Sequence, residues 1–363
     1  MNLLILVGTR PNFIKITRFK EISNRKYPHI KISIVHTGQH YSEQMADVFF
    51  NQLNVHPDYF LNITSKSSKD QINEIINKLT DLVSNIGKPD LMLVPGDVNS
   101  TLAGALYAKK NNIKLAHLES GLRSFDNDMP EEYNRIKTDE LSDLCFISEQ
   151  SGYDNLIKEG VSSKKLYFVG NTMIDTMLHY SHKIDASNIL QQLNITSLPF
   201  ILVTMHRPAT VDNKEGLLKL TNILNHLSHK YKVVFPIHPR TLNKITDFNL
   251  YTLISENKNI ICTEPLDYFS FQKLIKECAL VITDSGGIQE ESTFCKKPCL
   301  TLRSNTERPV TIEVGTNTLI PFDFNIIMFY INQIELGSYK HGLIPDKWDG
   351  FSTERVLHII SNI

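Results

Sequence analysis

The stretch "VITDSGGIQEEST", Val281 to Thr293, decides how the chain is read. Its apolar start breaks at Asp284-Ser285-Gly286-Gly287, the pattern of a buried strand feeding a tight turn and then a helix. Two residues without side chains at a helix start leave backbone N–H groups bare, an arrangement suited to phosphate. Glu290 and Glu291 follow about one turn later, where a carboxylate repels a phosphate. The simplest account is an ordinary βα turn with Ser285 as the N-cap, common in any α/β protein. The alternative is a ligand that needs amide donors and a carboxylate within one helical turn, and a nucleotide meets both demands. The Gly286 and Gly287 amides would hold a diphosphate while Glu291 accepts hydrogen bonds from ribose hydroxyls, a contact familiar from dinucleotide sites.

Strands and helices alternate in both directions from that unit. Apolar runs of strand length sit at 3–7, 32–36, 91–94, 115–117, 144–147 and 167–169, and again at 200–204, 233–237, 260–262, 280–283 and 299–302. Helical patterns lie between them, at 70–85, 101–110, 214–230 and 268–277. Short continuous apolar strands alternating with helices indicate parallel sheets covered on both faces. The series restarts near Gly170-Asn171, and "DASNILQQLNITSLP" reads as a connector into a new first strand at Phe200. The expectation is an α/β chain of two doubly wound, Rossmann-like domains. The end, "WDGFSTERVLHIISNI", reads as an amphipathic helix after a Gly turn.

Composition agrees and excludes several roles. At 363 residues the chain exceeds what one hydrophobic core usually organises. With 38 basic and 39 acidic residues the formal net charge is −1, which leaves no footprint for nucleic acid and no polybasic membrane anchor. A bound anion must therefore be met by a local cluster. Cys145, Cys262, Cys278, Cys295 and Cys299 form no Cys-x-x-Cys and have no His at metal-ligand spacing, so buried, reduced thiols in a cytoplasmic protein are expected. "MNLLILVGTRPNF" lacks a basic n-region and reads as a first strand, and no stretch is long enough to span a membrane.

Polar residues gather where strands end: Gly8-Thr9-Arg10-Pro11, Thr37-Gly38-Gln39-His40, Pro95-Gly96-Asp97, Glu119, His206-Arg207 and His238-Pro239-Arg240. Open α/β sheets bind ligands at the carboxyl ends of their strands, so both domains point to a ligand in the cleft between them. Arg10 and Lys15 flank the first turn, where Pro11 at N1 with two solvated cations is the bland account. No G-x-G-x-x-G follows the first strand and no G-x-x-x-x-G-K-[ST] occurs, which argues against nicotinamide cofactors and P-loop NTP hydrolysis. "HLESGLRSFDNDMPEEYNR", His117 to Arg135, concentrates Glu119, Asp126, Asp128, Glu131 and Glu132. A solvated acidic loop is its bland reading. Carboxylates facing the same cleft as Asp97, beside a His, would instead suit general acid–base chemistry, because crowding raises some of their pKa values. Mg²⁺ coordination is a fallback, but no acidic cluster has compact metal-site spacing.

Taken in order, "GTRPNFIK", "HTGQHYSEQM", "PGDVNST", "HLESGLRS", "MPEEYNRIKTDELSD", "FVGNTMIDT", "TMHRP", "HPR", "EPLDYFSF", "DSGGIQEE", "LRSNTERP", "VGTN" and "WDGFSTERV" resemble the motifs of the non-hydrolysing UDP-N-acetylglucosamine 2-epimerases over nearly the whole chain. The resemblance implies a GT-B-like pair of Rossmann domains with the active site in the cleft and the final helix returning to the first domain. The domains would be 1–169 plus 350–363, and 170–349. It also implies a cytoplasmic homodimer that interconverts UDP-GlcNAc and UDP-ManNAc for surface polysaccharide, with neither metal nor nicotinamide. The proton on carbon 2 has no adjacent carbonyl to acidify it, so its removal must be coupled to departure of UDP from carbon 1. That gives 2-acetamidoglucal held with UDP, and re-addition with protonation on the other face gives the epimer. Closure of the cleft would retain the intermediate. Carried onto matching positions, Asp97, Glu119 and Glu131 are the acid–base candidates, and His206 stabilises or protonates the leaving diphosphate. Arg10 and Lys15 resemble the substrate-binding cations. Ser285, Gly286, Gly287 and Glu291 resemble the UDP site, with Phe271 near the uracil.

The sequence departs from the family pattern in places. Asn12 stands where a Glu is usual, Arg18 where many members have Pro, Ser120 where Ala is usual, and "HRPATVDN" replaces the common "HRREN". Bacterial members often carry an allosteric UDP-GlcNAc site; Gln39, with His40, matches part of it, and Ser42 stands where a second Gln is common. Related epimerases act on other 2-acetamido sugars, uronic-acid derivatives included. A hydrolysing 2-epimerase is the nearest rival, and "PGDVNS" matches the non-hydrolysing branch instead. A glycosyltransferase on the same fold would need an acceptor groove, which nothing in the sequence marks. A silent nucleotide-sugar-binding regulator is the non-enzyme alternative, against which all four acid–base candidates argue.

Overall fold

A strand covered by helices on both faces has no wet side, so its sequence shows no polar alternation. The strands here follow that rule: LLILV near the amino terminus and LMLVP at Leu91–Pro95 are buried throughout. The computed structural model describes residues 1–38, 49–196 and 198–363. Its first sheet contains β1 (Asn2–Val7), β2 (Lys31–His36), β3 (Tyr59–Phe60), β4 (Leu91–Pro95), β5 (Lys114–Leu118), β6 (Leu144–Ile147) and β7 (Leu166–Phe168). They run parallel in the order β3-β2-β1-β4-β5-β6-β7. The second contains β8 (Phe200–Thr204), β9 (Lys232–Pro236), β10 (Ile260–Thr263), β11 (Leu280–Thr283), β12 (Cys299–Leu302) and β13 (Asn317–Ile320). It too is parallel, ordered β10-β9-β8-β11-β12-β13. The doubly wound expectation holds for both sheets. Strand order reverses between β1 and β4 in one and between β8 and β11 in the other, and ligands of such sheets bind at these switch points.

Two compact units contain these sheets: Met1–His179 with Asp346–Ile363, and Tyr180–Pro345. The sequence reading divides the chain at 169/170 and 349/350, short of these limits. The difference lies in the helix Thr172–His179, whose Thr176 hydroxyl donates to the Ile14 carbonyl at 2.7 Å, so this helix packs within the first unit. The final helix, Ser352–Ser361, is held there as well. Asp175, almost wholly buried, accepts from the Ser352 and Thr353 amides at 3.1 and 2.6 Å, satisfying two donors that a helix start leaves orphaned. Burial pushes the Asp175 carboxyl up even though those amides oppose it. Just before the helix, the buried Trp348 indole donates to the Ser148 carbonyl at 3.1 Å. Gly170, at φ +89°, lies against the same segment, and a Cβ there would come within 2.1 Å of the Lys347 oxygen.

Among the described residues no helix is long and apolar enough to cross a membrane. Asp175→Ala should lower the unfolding free energy by about 1–3 kcal/mol, since it leaves two buried amides without their acceptor. Urea denaturation of the variant against the parent chain measures this directly.

Candidate active site

In the first unit the site grows from the turn after β1. Thr9 starts the helix Arg10–Ile16 in extended conformation, with Pro11 inside its first turn. Asn12, the departure from the usual Glu, is buried and structural. Its Oδ1 accepts from the Gly8 and Thr9 amides at 3.2 and 3.1 Å, and its Nδ2 donates to the Pro95 carbonyl at 3.1 Å. One amide side chain thus ties the turn after β1 to the end of β4. Three residues on, and therefore on the same helix face, Lys15 is buried and places Nζ 2.6 Å from Glu119 Oε2. Glu119 follows β5 at φ +74°, and its amide donates to the Phe146 carbonyl. Arg10, half-buried, sets its guanidinium over the Phe49 ring at 4.9 Å.

Asp97 follows Gly96 at the end of β4. Arg135 holds its Oδ2 from both Nε and Nη2, at 3.0 and 2.7 Å, and Asn134 donates to its backbone carbonyl at 2.9 Å. Arg135 also pairs with Glu132 at 2.6 Å. Glu132 in turn accepts from the Ser124 amide and hydroxyl and from the Phe125 amide, which ties down the loop after "HLESGLR". The segment read as a loop of carboxylates is therefore mostly paired. The Asp128 and Glu131 carboxylates make no hydrogen bond or ion pair among the described residues, and Glu131 is half-buried in the first turn of the helix Pro130–Leu141. The first unit thus brings Asp97, Glu119 and Lys15 to neighbouring strand ends, with Glu131 on the helix that also carries Arg135.

In the second unit the corresponding turn follows β8. Asp284, at the end of β11, is fully buried and accepts from the His206 and Arg207 amides through Oδ2, both at 2.8 Å. Its Oδ1 lies 2.8 Å from His206 Nδ1. Burial pushes the Asp284 carboxyl up, but the His206 ring and the two amides outweigh it and hold it below the usual carboxylate range. An anionic carboxylate this close favours the tautomer with its proton on Nδ1, which leaves Nε2 to meet a ligand, on a side chain that is 41% exposed. Burial and the neighbouring His206 lower the His238 ring below its ordinary value; the two rings are 5.4 Å apart.

Ser285 occupies the N-cap position of the helix Gly286–Phe294 in extended conformation, as the simple turn reading expects, and its hydroxyl caps no helix amide. Gly286 allows a close approach by two side chains. A Cβ there would meet Glu307 Oε1 at 2.6 Å and Arg308 Nη1 at 2.7 Å. Arg308 resolves part of the puzzle of the paired glutamates, because its Nε lies 2.8 Å from Glu290 Oε2 and its Nη1 pairs with Glu307. Glu290 is fully buried and balanced by this guanidinium, and Glu291 is buried beside it on the same helix. Phe271, half-buried on the helix Tyr268–Glu277, packs against the core that includes Phe200 and Ile288.

Sequence reasoning gave no site role to Arg308, Asp284, Arg135 or Asp139. Their signal was charge inside otherwise apolar or motif-bearing segments, "LRSNTERP" above all, but Glu290 for Arg308, Asp97 for Arg135, His206 for Asp284 and His117 for Asp139 lie far off in the chain. Gln39 and His40, carried over as part of an allosteric site, lie outside the described residues. Among the described residues no group of three or more His, Cys, Asp or Glu side chains is placed to hold a metal ion.

A family model described as UDP-N-acetylglucosamine 2-epimerase matches residues 21–361. The chain belongs to that family. It is 41% identical over 368 residues to the UDP-N-acetylglucosamine 2-epimerase of Methanocaldococcus jannaschii, covering 99% of each chain. The crystal structure of the Methanocaldococcus jannaschii UDP-GlcNAc 2-epimerase in complex with UDP-GlcNAc and UDP is similar with a TM-score of 0.90 at 38% identity, covering 100% of both chains. The chain is also 37% identical over 325 residues, 88% of each chain, to the UDP-2,3-diacetamido-2,3-dideoxy-D-glucuronate 2-epimerase of Pseudomonas aeruginosa.

For this epimerase-family chain the buried Lys15–Glu119 pair makes a prediction about stability. Glu119→Gln strands a buried ammonium and should lower the unfolding free energy by about 3–5 kcal/mol in urea denaturation. Adding Lys15→Met should return most of that loss. Equal losses in the single and double variants would show that the pair is not its source.

Proposed function

We propose that this protein interconverts UDP-GlcNAc and UDP-ManNAc by elimination of UDP and re-addition to 2-acetamidoglucal. The observation that carries the reading is the His206–Asp284 couple, an imidazole held in one tautomer immediately before Ser285 and the glycine turn. Such a couple suits proton transfer to a departing diphosphate oxygen, with Asp284 fixing the ring and stabilising its charge as it takes or gives the proton. The Gly286 and Gly287 amides would hold the diphosphate, with Arg10 supplying positive charge, while Glu291 accepts from the ribose and Phe271 lies by the uracil. Asp97, Glu119 and Glu131 would serve the proton on carbon 2, taking it from one face and returning it on the other. The same proposal includes a homodimer working in the cytoplasm and needing no added cofactor.

The Pseudomonas aeruginosa relative supports a second reading, in which the sugar is a 2-acetamido uronate. Offering each UDP-sugar separately and comparing kcat/KM decides between them.

Incubation with UDP-GlcNAc alone, followed by NMR, should yield the ManNAc epimer. Free sugar would mean hydrolysis, and turnover only with an added acceptor would mean glycosyl transfer. In D₂O the epimer should carry deuterium at carbon 2; an epimer that kept its original hydrogen would rule elimination out. Asp97→Asn and Glu131→Gln should each slow turnover by about 10²–10⁴-fold, the usual contribution of a positioned acid or base. Glu291→Ala should weaken UDP binding by about 1.5–3 kcal/mol in calorimetry, the range for losing a charged hydrogen-bond partner.

A further inference from the structure

His117 has no place in the mechanism above, yet both of its ring nitrogens make short hydrogen bonds in the core of the first unit. It sits near the end of β5 and is completely buried. Nε2 lies 2.7 Å from the Gly96 carbonyl and Nδ1 lies 2.7 Å from Asp139 Oδ1. A carbonyl oxygen only accepts, so Nε2 carries a proton. Asp139 also receives the Arg123 guanidinium at 2.8 Å and the Gly121 amide at 3.0 Å, both through Oδ2. Those are the partners of an ionised carboxylate, which likewise only accepts. Nδ1 must then carry a proton too, since otherwise two lone pairs would face each other at 2.7 Å.

We infer that His117 is a buried imidazolium that positions the Gly96–Asp97 turn for the acid–base work of Asp97. It is a positioning residue, and the inference rests on the role given to Asp97 above. The turn needs such a hold. Gly96 adopts φ +72°, and a Cβ there would come within 3.1 Å of Lys15 Nζ and 3.2 Å of Asn12 Nδ2. A side chain here would crowd both groups in a backbone conformation that favours glycine, whose backbone is the least restrained of any residue. The His117 proton on the Gly96 carbonyl and the Leu118 carbonyl on the Gly96 amide, at 2.9 Å, fix that backbone from both sides. The charges around the ring fit a cation. Asp139 faces it from the helix Pro130–Leu141, and Arg123 lies beyond Asp139 with Glu159 at 2.7 Å from Nη2, so Glu159, Arg123, Asp139 and His117 alternate in sign. Cys145, its register partner on β6, is a neutral neighbour whose thiol burial pushes up to about 12. Lys15 with Glu119, and Asp97 with Arg135, are already paired nearby.

Histidine labelled with ¹⁵N tests the charge in the intact protein, with the His117 signals assigned by their loss in His117→Gln. Both ring nitrogens should carry protons at neutral pH, as the two acceptors they face require. A bare ring nitrogen at neutral pH would overturn the inference. His117→Gln should cut kcat by about 10²-fold, the scale of a small misplacement of a reacting group, while UDP affinity stays within about twofold. Unchanged kcat in the folded variant would also overturn it. Should that variant fail to fold, sequential through-bond assignment of the His117 ring in the parent protein still decides the charge. A parent protein that epimerised no UDP-sugar would defeat the functional reading, whereas the spectrum would report on His117 regardless.

Discussion

Where strand order reverses in a parallel sheet, the chain leaves one strand toward one face and leaves its neighbour toward the other. The amides just past the first strand then have no ladder partner, and buried amides must be satisfied. Both units meet this demand with a single polar side chain. In the first, Asn12 Oδ1 takes the Gly8 and Thr9 amides and its Nδ2 reaches the end of β4. In the second, Asp284 Oδ2 takes the His206 and Arg207 amides from the end of β11. A carboxylate does more than an amide here, because its second oxygen is left to orient His206. The same structural necessity thus leaves a rigid clamp in one unit and an oriented imidazole in the other.

Charge is handled by alternation. The chain is nearly neutral overall, but its buried ionisable groups are chained plus to minus: Lys15 to Glu119, Glu132 to Arg135 to Asp97, and Glu290 to Arg308 to Glu307 to Arg303. Removing one member leaves its neighbour charged and dry, which costs far more than the pair itself contributes. Positive charge beside the Ser285 turn therefore comes with its own counterions and a fixed geometry. It acts locally and leaves no global field.

Strands were legible wherever they are continuous apolar runs. β3, with two residues, Tyr59 and Phe60, is too short for a pattern, and β13 begins with Asn317 and Thr318, whose side chains are spent on hydrogen bonds to Gln289, Thr301, Thr311 and Tyr339. The candidate site was legible where glycine or a charge interrupts a motif, as at Asp97, Glu119 and the Ser285 turn. What no local pattern carries is the partner across the fold. Nothing near His117 announces Asp139, and nothing near Glu290 announces Arg308, because those pairs are set by which strands neighbour which. Helix Thr172–His179 illustrates the same limit for the domain boundary, since its allegiance is decided by a contact with Ile14 at the other end of the unit.

The first unit is discontinuous: it closes only with residues Asp346–Ile363, after all of Tyr180–Pro345 has been made. Its Trp348 anchor and the Asp175 cap on the final helix are thus absent while the ribosome is still building the second unit. The second unit, continuous in the chain, has its whole core available first. Synthesis from the amino terminus would ordinarily let the leading domain mature first. Here the unit that comes first along the chain is complete only once the segment following the second has been made.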